Sequence, residues 1–422
     1  MGAEIEPMSF LLKDIDLCRP LEDITIPTDR SGLGLLLRYG RRPIAFVMLP
    51  LQPGASLSAE EIRETASRAS ARKLLQEKLR EELSVAADDS DQKSLTVAVC
   101  TKGRPEMLAR CLEALRRTRR SEEASLGELV SLEPQRYEIL VVDNAPTDDR
   151  NLDVAGGIPG VRYVREPLPG LDIARNLAIA EARGELIAFV DDDVVVDEWW
   201  LDGLCCALAD NPDAAGVTGL VLPYALETPA QILFESRGGF GRGFEPIHYG
   251  QVLPGKPLYP CGAGIFGAGA NMAFRREVLT SLGGFDEALD TGAALPGGGD
   301  LDIFYRLIRA GHTLVYEPRF AAFHEHRQDL DGLRRQYVSW GRGFAAFAVK
   351  SYRADPSQRA QFRRLAVWWC GYQLRELLRS LGRRDMTLAR MVLAEVVGGF
   401  IGILGEYDRS SRRIAKLRSR AA

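Results

Sequence analysis

Histidine is scarce in this chain, with four in 422 residues. The seven cysteines are Cys18, Cys100, Cys111, Cys205, Cys206, Cys261 and Cys370, and no two stand at C-x-x-C spacing. These shortages argue against a zinc site. An odd number of cysteines without paired spacing also argues against a disulfide framework. Reduced thiols in a cytosolic compartment fit best. No charged-then-apolar leader opens the sequence, so no secretory signal is expected. No stretch reaches the roughly 18 consecutive apolar residues that a spanning helix needs. The nearest, Met391 to Leu404, is too short and carries Glu395 and three glycines. A net charge of only -4 speaks against a general nucleic-acid binder.

The rest of the composition is that of a globular protein, 46% hydrophobic and 27% charged, and long enough for two or three domains. One stretch organises it. Glu185 to Asp193 reads ELIAFVDDD. Leu186 to Val190 is an unbroken apolar run, long enough for a strand buried on both faces and too short for a typical helix. It ends in Asp191, Asp192 and Asp193. Three adjacent carboxylates repel one another at the tip of a buried strand. A hard divalent cation, Mg2+ or Mn2+, offsets that repulsion. The plainer alternative is a solvated acidic loop.

Residues 1 to 93 read as an accessory module with its linker. Leu33 to Tyr39 and Pro43 to Leu49 form a hairpin pattern around Gly40. Ser58 with Glu61 is a capping-box signature for a helix running to about Leu83. Residues 86 to 93, rich in Asp and Ser, read as the linker. The module shows no catalytic constellation, and its expected role is docking.

From Ser94 the pattern is strand, turn, helix. Strands are expected at Leu95 to Cys100, Tyr137 to Val142, Val161 to Arg165 and Leu186 to Val190. Helices are expected at Glu106 to Arg117 and Gly170 to Ala182. Such alternation indicates parallel βαβ units. Pro223 to Pro260 is loop-rich and glycine-rich, as a lid or substrate wall would be. From about Asp331 the chain reads as mainly helical, ending in a basic run from Arg409 to Arg420. The expected division is therefore 1–93, 94–330 and 331–422.

Two further acidic positions stand out. Asp143 also ends a buried-type strand, so it shares the sheet edge with the Asp triplet. Its plainer role is a turn former. Asp300 follows three glycines, Gly297 to Gly299, and opens a helix that also carries Asp302. An N-cap is the default for Asp there. A general base at the same place must also reach an acceptor hydroxyl.

The segment from Ser94 to about Arg327 resembles the family 2 glycosyltransferases of GT-A fold. The matching motifs, in order, are TVAVCTKGRP, EILVVDNAPTDD, PGLDIARNLAI, ELIAFVDDD, FGAGANMAFRREVLTSLGGFDE and GGGDLDIFYRLIRAGHTLVYEP. The resemblance implies an α/β protein with a Rossmann-like mixed sheet flanked by helices. A small N-terminal α/β module and a C-terminal helical region would be added to it. It implies a metal-dependent, inverting transfer of one sugar from a nucleotide diphospho-sugar to an acceptor hydroxyl.

Roles follow position by position. Asp143 is implied at the nucleotide base and Asp191 near the ribose or donor sugar. Asp193 is the implied ligand of Mn2+ or Mg2+, with Asp191 beside it and Asp192 assisting. Thr101, Arg104, Arg175, Asn176 and Asn271 are implied in the donor pocket. Asp300 is the implied base. His324, in AFHEHR, is a further candidate for the metal or diphosphate, with a structural role equally open.

The sequence departs from the family pattern in two places. Gly299 stands where a Glu usually precedes the base. Gln336 and Trp340 keep the spacing of a processive Gln-x-x-Arg-Trp motif, but Ser339 replaces its Arg. A non-processive enzyme is therefore expected. UDP-sugars are the favoured donors, and the acceptor is of unknown class. A sugar nucleotidyltransferase and a non-catalytic nucleotide-sugar-binding scaffold are the alternatives. Gly262, Gly264 and Gly267 spell GxGxxG, but Pro260 and Cys261 precede them instead of a strand. The apolar and basic C-terminus has two readings, peripheral contact with the inner face of a membrane or packing in a homo-oligomer.

Overall fold

A computed structural model describes residues 9–83, 94–120, 124–125, 137–289 and 295–421. The linker expected at 86–93 lies outside them.

The N-terminal part contains β1 (Phe10–Asp16), β2 (Ile24–Thr25), β3 (Gly32–Tyr39), β4 (Arg42–Pro50), β5 (Ser56–Leu57) and α1 (Ala59–Leu83). β3 and β4 form the expected hairpin. Gly40 supplies its turn with a left-handed φ of 57°. β1 joins β3 in parallel, a strand the sequence reading does not contain. Its FLLKDID mixes apolar with charged residues and stays largely near the surface. The capping box forms as expected: Ser58 N–H donates to Glu61 Oε2 at 2.8 Å, and Glu61 N–H donates to Ser58 Oγ at 3.3 Å.

The N-terminal part shares its interior with the central sheet. Leu36 of β3 belongs to the same buried apolar cluster as that sheet. Phe10 N–H donates to the Leu226 carbonyl at 2.7 Å. The buried Arg38 guanidinium bridges Asp14, at 2.7 Å, and the buried Asp197.

The central part begins with β6 (Leu95–Thr101), α2 (Pro105–Arg117) and the small pair β7 (Arg119–Arg120) and β8 (Ala124–Ser125). It continues with β9 (Tyr137–Asn144), α3 (Arg150–Gly156), β10 (Val161–Glu166), α4 (Leu171–Glu181), β11 (Leu186–Asp191) and β12 (Val194–Val196). After these come α5 (Trp200–Asp210), β13 (Ala214–Pro223), α6 (Pro229–Ser236) and β14 (Ile247–Tyr249). β15 (Asn271–Arg275), α7 (Arg276–Ser281), α8 (Gly299–Arg309) and β16 (Thr313–His324) complete it.

The main sheet has the order β10-β9-β6-β11-β15-β13-β16-β12, with β14 beside β16. β10, β9, β6 and β11 are parallel, as the βαβ rhythm predicts. β15 runs antiparallel to both neighbours and makes the sheet mixed. Every residue of β6, β9 and β13 is buried, consistent with strands covered on both faces. Leu108 and Leu112 of α2 and Trp200 of α5 cover one face. Ala174 and Ala178 of α4 and Phe304 and Leu307 of α8 cover the other.

The stretch from Pro223 to Pro260, expected as loop, contains α6 and β14. Thr228 and Gln231 cap α6 reciprocally. The Tyr316 hydroxyl donates to the Gly243 carbonyl at 2.8 Å and ties the segment after α6 to β16.

The C-terminal region is helical as expected: α9 (Leu330–Ala354), α10 (Arg359–Gly382), α11 (Met386–Ile403) and α12 (Glu406–Ala421). α9 and α11 touch backbone to backbone through glycine. A Cβ at Gly341 would lie 2.0 Å from the Glu395 carbonyl oxygen, and one at Gly398 would lie 2.1 Å from that of Val338. The basic end is a docked helix: Arg418 pairs with Glu287, and the Tyr407 hydroxyl donates to Asp286 at 2.9 Å.

Candidate active site

The parallel strands bring their carboxyl ends to one edge, where ligands of open α/β sheets bind. In the register, Asp191 stands beside Cys100, and Thr101 beside Asp143. A cavity of about 720 Å3 opens there. Thr101, Arg104, Arg175, Asp191, Asp192, Asp193, Asp300 and His324 all line it. The sequence had spread these residues over more than two hundred positions.

The acidic triplet is met by cations and donors. Thr101 Oγ1 donates to Asp192 Oδ2 at 2.8 Å. Arg104 Nη1 donates to Asp192 Oδ1 at 3.0 Å and to Asp193 Oδ2 at 3.2 Å. Arg175 Nη2 lies 3.5 Å from Asp191 Oδ1. Burial pushes the Asp191 carboxyl up to about 7, with Asp193 and Asp192 adding to the rise and Arg175 opposing it. The Asp192 carboxyl is also raised by burial, against the pull of Arg104.

His324 ends β16 beside this cluster, with Nε2 3.4 Å from Asp193 Oδ1. Burial lowers its imidazole to about 4, so the ring is neutral near pH 7. Its Nδ1 faces His326 Nδ1 at 3.1 Å, and His326 Nε2 faces Glu235 at 3.2 Å. The strand-end carboxylates are the donors that suit a hard divalent cation, and the neutral imidazole adds a nitrogen donor beside them. Among the described residues no three acidic, thiol or imidazole side chains close into a ready cage.

Asp300 is the second residue of α8. The N-cap is Gly298, at a left-handed φ of 100° and with no side-chain cap. Asp300 Oδ1 accepts from Leu301 N–H at 2.8 Å, and Oδ2 accepts from Gly269 N–H at 3.2 Å. The same Gly269 offers its carbonyl to Arg175 Nη2 at 3.3 Å. Arg175 and Gly269 thus connect the Asp191 end of the cavity to the Asp300 end.

Three of the residues implied for the site are placed elsewhere. Asn271 is fully buried within the sheet: its Oδ1 accepts from Trp200 Nε1 at 2.9 Å, and its Nδ2 donates to the Phe320 carbonyl at 2.8 Å and the Leu220 carbonyl at 3.3 Å. Those bonds take up its polar atoms, so it is a sheet-to-helix tie rather than a pocket residue. Asn176 faces the other side of α4, where it exchanges hydrogen bonds with the Phe285 backbone. Asp143 is wholly buried beneath the edge and accepts from Asn151 Nδ2 at 3.0 Å and from the Tyr163 hydroxyl at 2.7 Å. Its neighbour Asn144 lines the cavity instead.

The cavity wall also contains residues the sequence reading assigned no role: Lys102, Phe240, Arg327 and Arg335. Gln336, Ser339 and Trp340 of the interrupted motif join them. Arg327 lies just past the end of β16, at the same sheet edge as His324, and that position was the available signal. Phe240 falls in the 223–260 stretch expected as a lid or substrate wall, although nothing in the sequence singled out that position within it.

Comparison with known proteins agrees with this fold. Residues 96–282 match the model of the family described as glycosyl transferase family 2. That match identifies residues 96–282 as a family 2 glycosyltransferase domain, and the mixed sheet with its flanking helices is that of the GT-A fold. It is 27% identical over 282 residues to the pre-mycofactocin glycosyltransferase of Mycobacterium tuberculosis, covering 66% of this chain and 55% of that protein. It is 27% identical over 319 residues to the succinoglycan biosynthesis protein ExoM of Rhizobium meliloti, covering 73% of this chain and 93% of that one. The chain thus spans about half the length of the mycobacterial relative. Its fold is similar to that of the mannosyltransferase PcManGT from Pyrobaculum calidifontis, solved in complex with GDP-Man and Mn2+. The TM-score is 0.50 at 17% identity, covering 80% of this chain and 97% of the other.

Proposed function

We propose that the protein transfers one sugar from a nucleotide diphospho-sugar to an acceptor hydroxyl, with inversion at the anomeric carbon. The observation that supports this best is the joint placement of the Asp191–Asp193 edge, Arg175 and Asp300 around one cavity. The donor diphosphate would lie at the Asp191–Asp193 end. Asp191, Asp193 and His324 would hold a divalent cation there, which when bound supplies Lewis-acid stabilisation of the departing diphosphate. Arg104 neutralises Asp192 and Asp193 and keeps the carboxylates in place.

Asp300 takes the proton of the acceptor hydroxyl at its carboxylate. The Gly269 and Leu301 N–H groups orient that carboxylate. Arg175 fixes the geometry between the two ends. A base at one end and a leaving group at the other suit single displacement. Ser339, in place of an arginine in the wall formed by α9, supports one addition per encounter.

The experiment is a thermal-shift screen of UDP- and GDP-sugars with and without Mn2+, followed by donor hydrolysis. A bound donor stabilises by mass action. UDP-sugars are the first choice, and GDP-mannose enters because the Pyrobaculum calidifontis enzyme of similar fold was solved with it. The absence of any shift or hydrolysis across the panel would overturn the reading. Pyrophosphate release from a nucleoside triphosphate and a sugar phosphate would assign the site to nucleotidyl transfer.

A further inference from the structure

Eleven of the eighteen large apolar side chains that stand exposed among the described residues fall between Val367 and Leu404. They are regularly placed. On α10, Val367, Leu374, Leu378 and Leu381 follow one another, with Gly371, in steps of four and three residues. On α11, Met386, Leu393, Val397 and Phe400, with Leu404 just past its end, do the same, and Arg390 completes the row. Each helix therefore presents an apolar stripe to solvent, broken on α11 by Arg390. Val367 is 74% exposed, Phe400 64% and Leu404 70%. Exposed apolar stripes of this length mark a surface that docks on something.

The charges around the stripes select the partner. Residues 359–404 contain eight arginines and three acids. All eight arginines are exposed. The acids are engaged or withdrawn: Asp385 caps α11 by accepting from Leu388 N–H at 2.9 Å, Glu376 pairs with Arg379 at 2.7 Å, and Glu395 is half-buried. The solvent-facing charge of the helix pair is therefore positive.

A second copy of the chain would present like charge to like. The positions flanking the stripes hold no acid to pair with an arginine, as a coiled-coil seam would require. An anionic lipid surface complements both features: the acyl boundary takes the apolar stripes and the headgroups take the arginines. Trp368, exposed and stacked on Tyr372, has the amphipathic ring that favours this interface.

α11 would lie on the membrane and not cross it. Although long and apolar enough by composition, it is fixed to α9 by the glycine contacts at Gly341 and Gly398, and Gly402 adds a third. A Cβ at Gly402 would lie 2.5 Å from the Arg342 carbonyl oxygen.

We propose that α10 and α11 form a membrane-docking face that seats the protein on an anionic bilayer surface. The full-length protein would be sedimented with vesicles of phosphatidylcholine alone, and with vesicles of phosphatidylcholine and phosphatidylglycerol in equal amounts, at low and at physiological salt. The expected result is binding to the anionic vesicles alone, weakening as salt rises. Reversing Arg375 and Arg390 to Glu should lower partitioning by at least roughly fivefold per site. The double variant V397S/F400S should lower it about tenfold or more at both salt concentrations.

Melting followed by circular dichroism should match the parent protein for every variant, because each altered side chain is exposed. Failure to bind anionic vesicles at low salt would overturn the proposal, as would equal binding to neutral vesicles. A dimer in light scattering that V397S/F400S dissociates would also overturn it and assign the face to a second copy. None of these readouts depends on catalysis, so the proposal stands or falls separately from the donor chemistry.

Discussion

A Cβ added at Gly299 would lie 1.9 Å from Oδ2 of Asp172. The carboxylate of Asp172, carried by α4, fills the space that a side chain at the start of α8 would need. Asp172 is 1% exposed and accepts from Arg175 Nη1 at 3.1 Å. The position where the family pattern has a Glu is therefore closed to any side chain while Asp172 stays in place. Gly299→Ala is predicted to destabilise the fold by about 1 to 3 kcal/mol through overpacking. It should also displace Arg175 and lower turnover. Adding Asp172→Ala removes the overlap, so the double variant should be less destabilised than the sum of the two. Urea unfolding of the four proteins measures the coupling, and strict additivity would contradict the contact.

Asp300→Asn separates a base from a purely structural acceptor of the Leu301 and Gly269 N–H groups. The amide keeps a carbonyl oxygen for the Leu301 or Gly269 N–H but cannot take a proton. Transfer should fall by about 10² to 10⁴-fold while donor affinity holds. Near-normal transfer would leave Asp300 as a structural residue.

Asp193→Ala should abolish cation-dependent donor binding with little loss of fold. Removing one of three adjacent carboxylates relieves repulsion, although Arg104 retains Asp192 as a partner. Calorimetric titration of the donor with and without Mn2+ is the measurement. Equal affinity in the variant and the parent would remove Asp193 from the cation site.

Asn271→Ala tests a residue that the family resemblance places in the donor pocket and the structure places in the core. It removes the acceptor of Trp200 Nε1 and a donor from the Leu220 and Phe320 carbonyls. A loss of about 1 to 3 kcal/mol per stranded buried group is expected, with the donor KM unchanged in the folded protein. A raised KM at unchanged stability would return Asn271 to the pocket.

The sequence was most legible where one physical demand ruled. The parallel strands β6, β9 and β11 show as apolar runs because both faces are covered. The capping box at Ser58 shows because it is local. The acidic edge shows because carboxylates at a buried strand tip have few uses. Other features were not legible because neighbours far away in the chain decide them. Asn271 and Asn176 look like site residues by motif, yet their amides point to backbone that only the fold brings near. Asp172 lies in the recognised segment PGLDIARNLAI, but its use depends on the empty Cβ position at Gly299, over a hundred residues later. Phe240 reaches the cavity from an irregular stretch without periodicity. The strand β1 hid because its charged residues face water.

The Arg38–Asp197 pair offers a further test, because both side chains are nearly inaccessible. Arg38→Met leaves Asp197 buried and uncompensated, which should cost about 3 to 5 kcal/mol. Replacing both residues by apolar ones of similar size should recover most of that loss. Chemical denaturation measures both, and a single variant as stable as the parent would show that the pair is not coupled.

The contacts of Leu36 with the central sheet and of Phe10 with Leu226 bear on how the molecule comes apart. A seam built this way has no surface of its own on either side. A fragment cut at Ser94 would expose Leu226 without Phe10 and Asp197 without Arg38, so it would be sticky rather than merely shorter. Heating the whole chain should give one endotherm, with the first strands and the acidic edge lost together. Protease resistance of the N-terminal strands then becomes a proxy for the integrity of the acidic edge, although the two share no side chain.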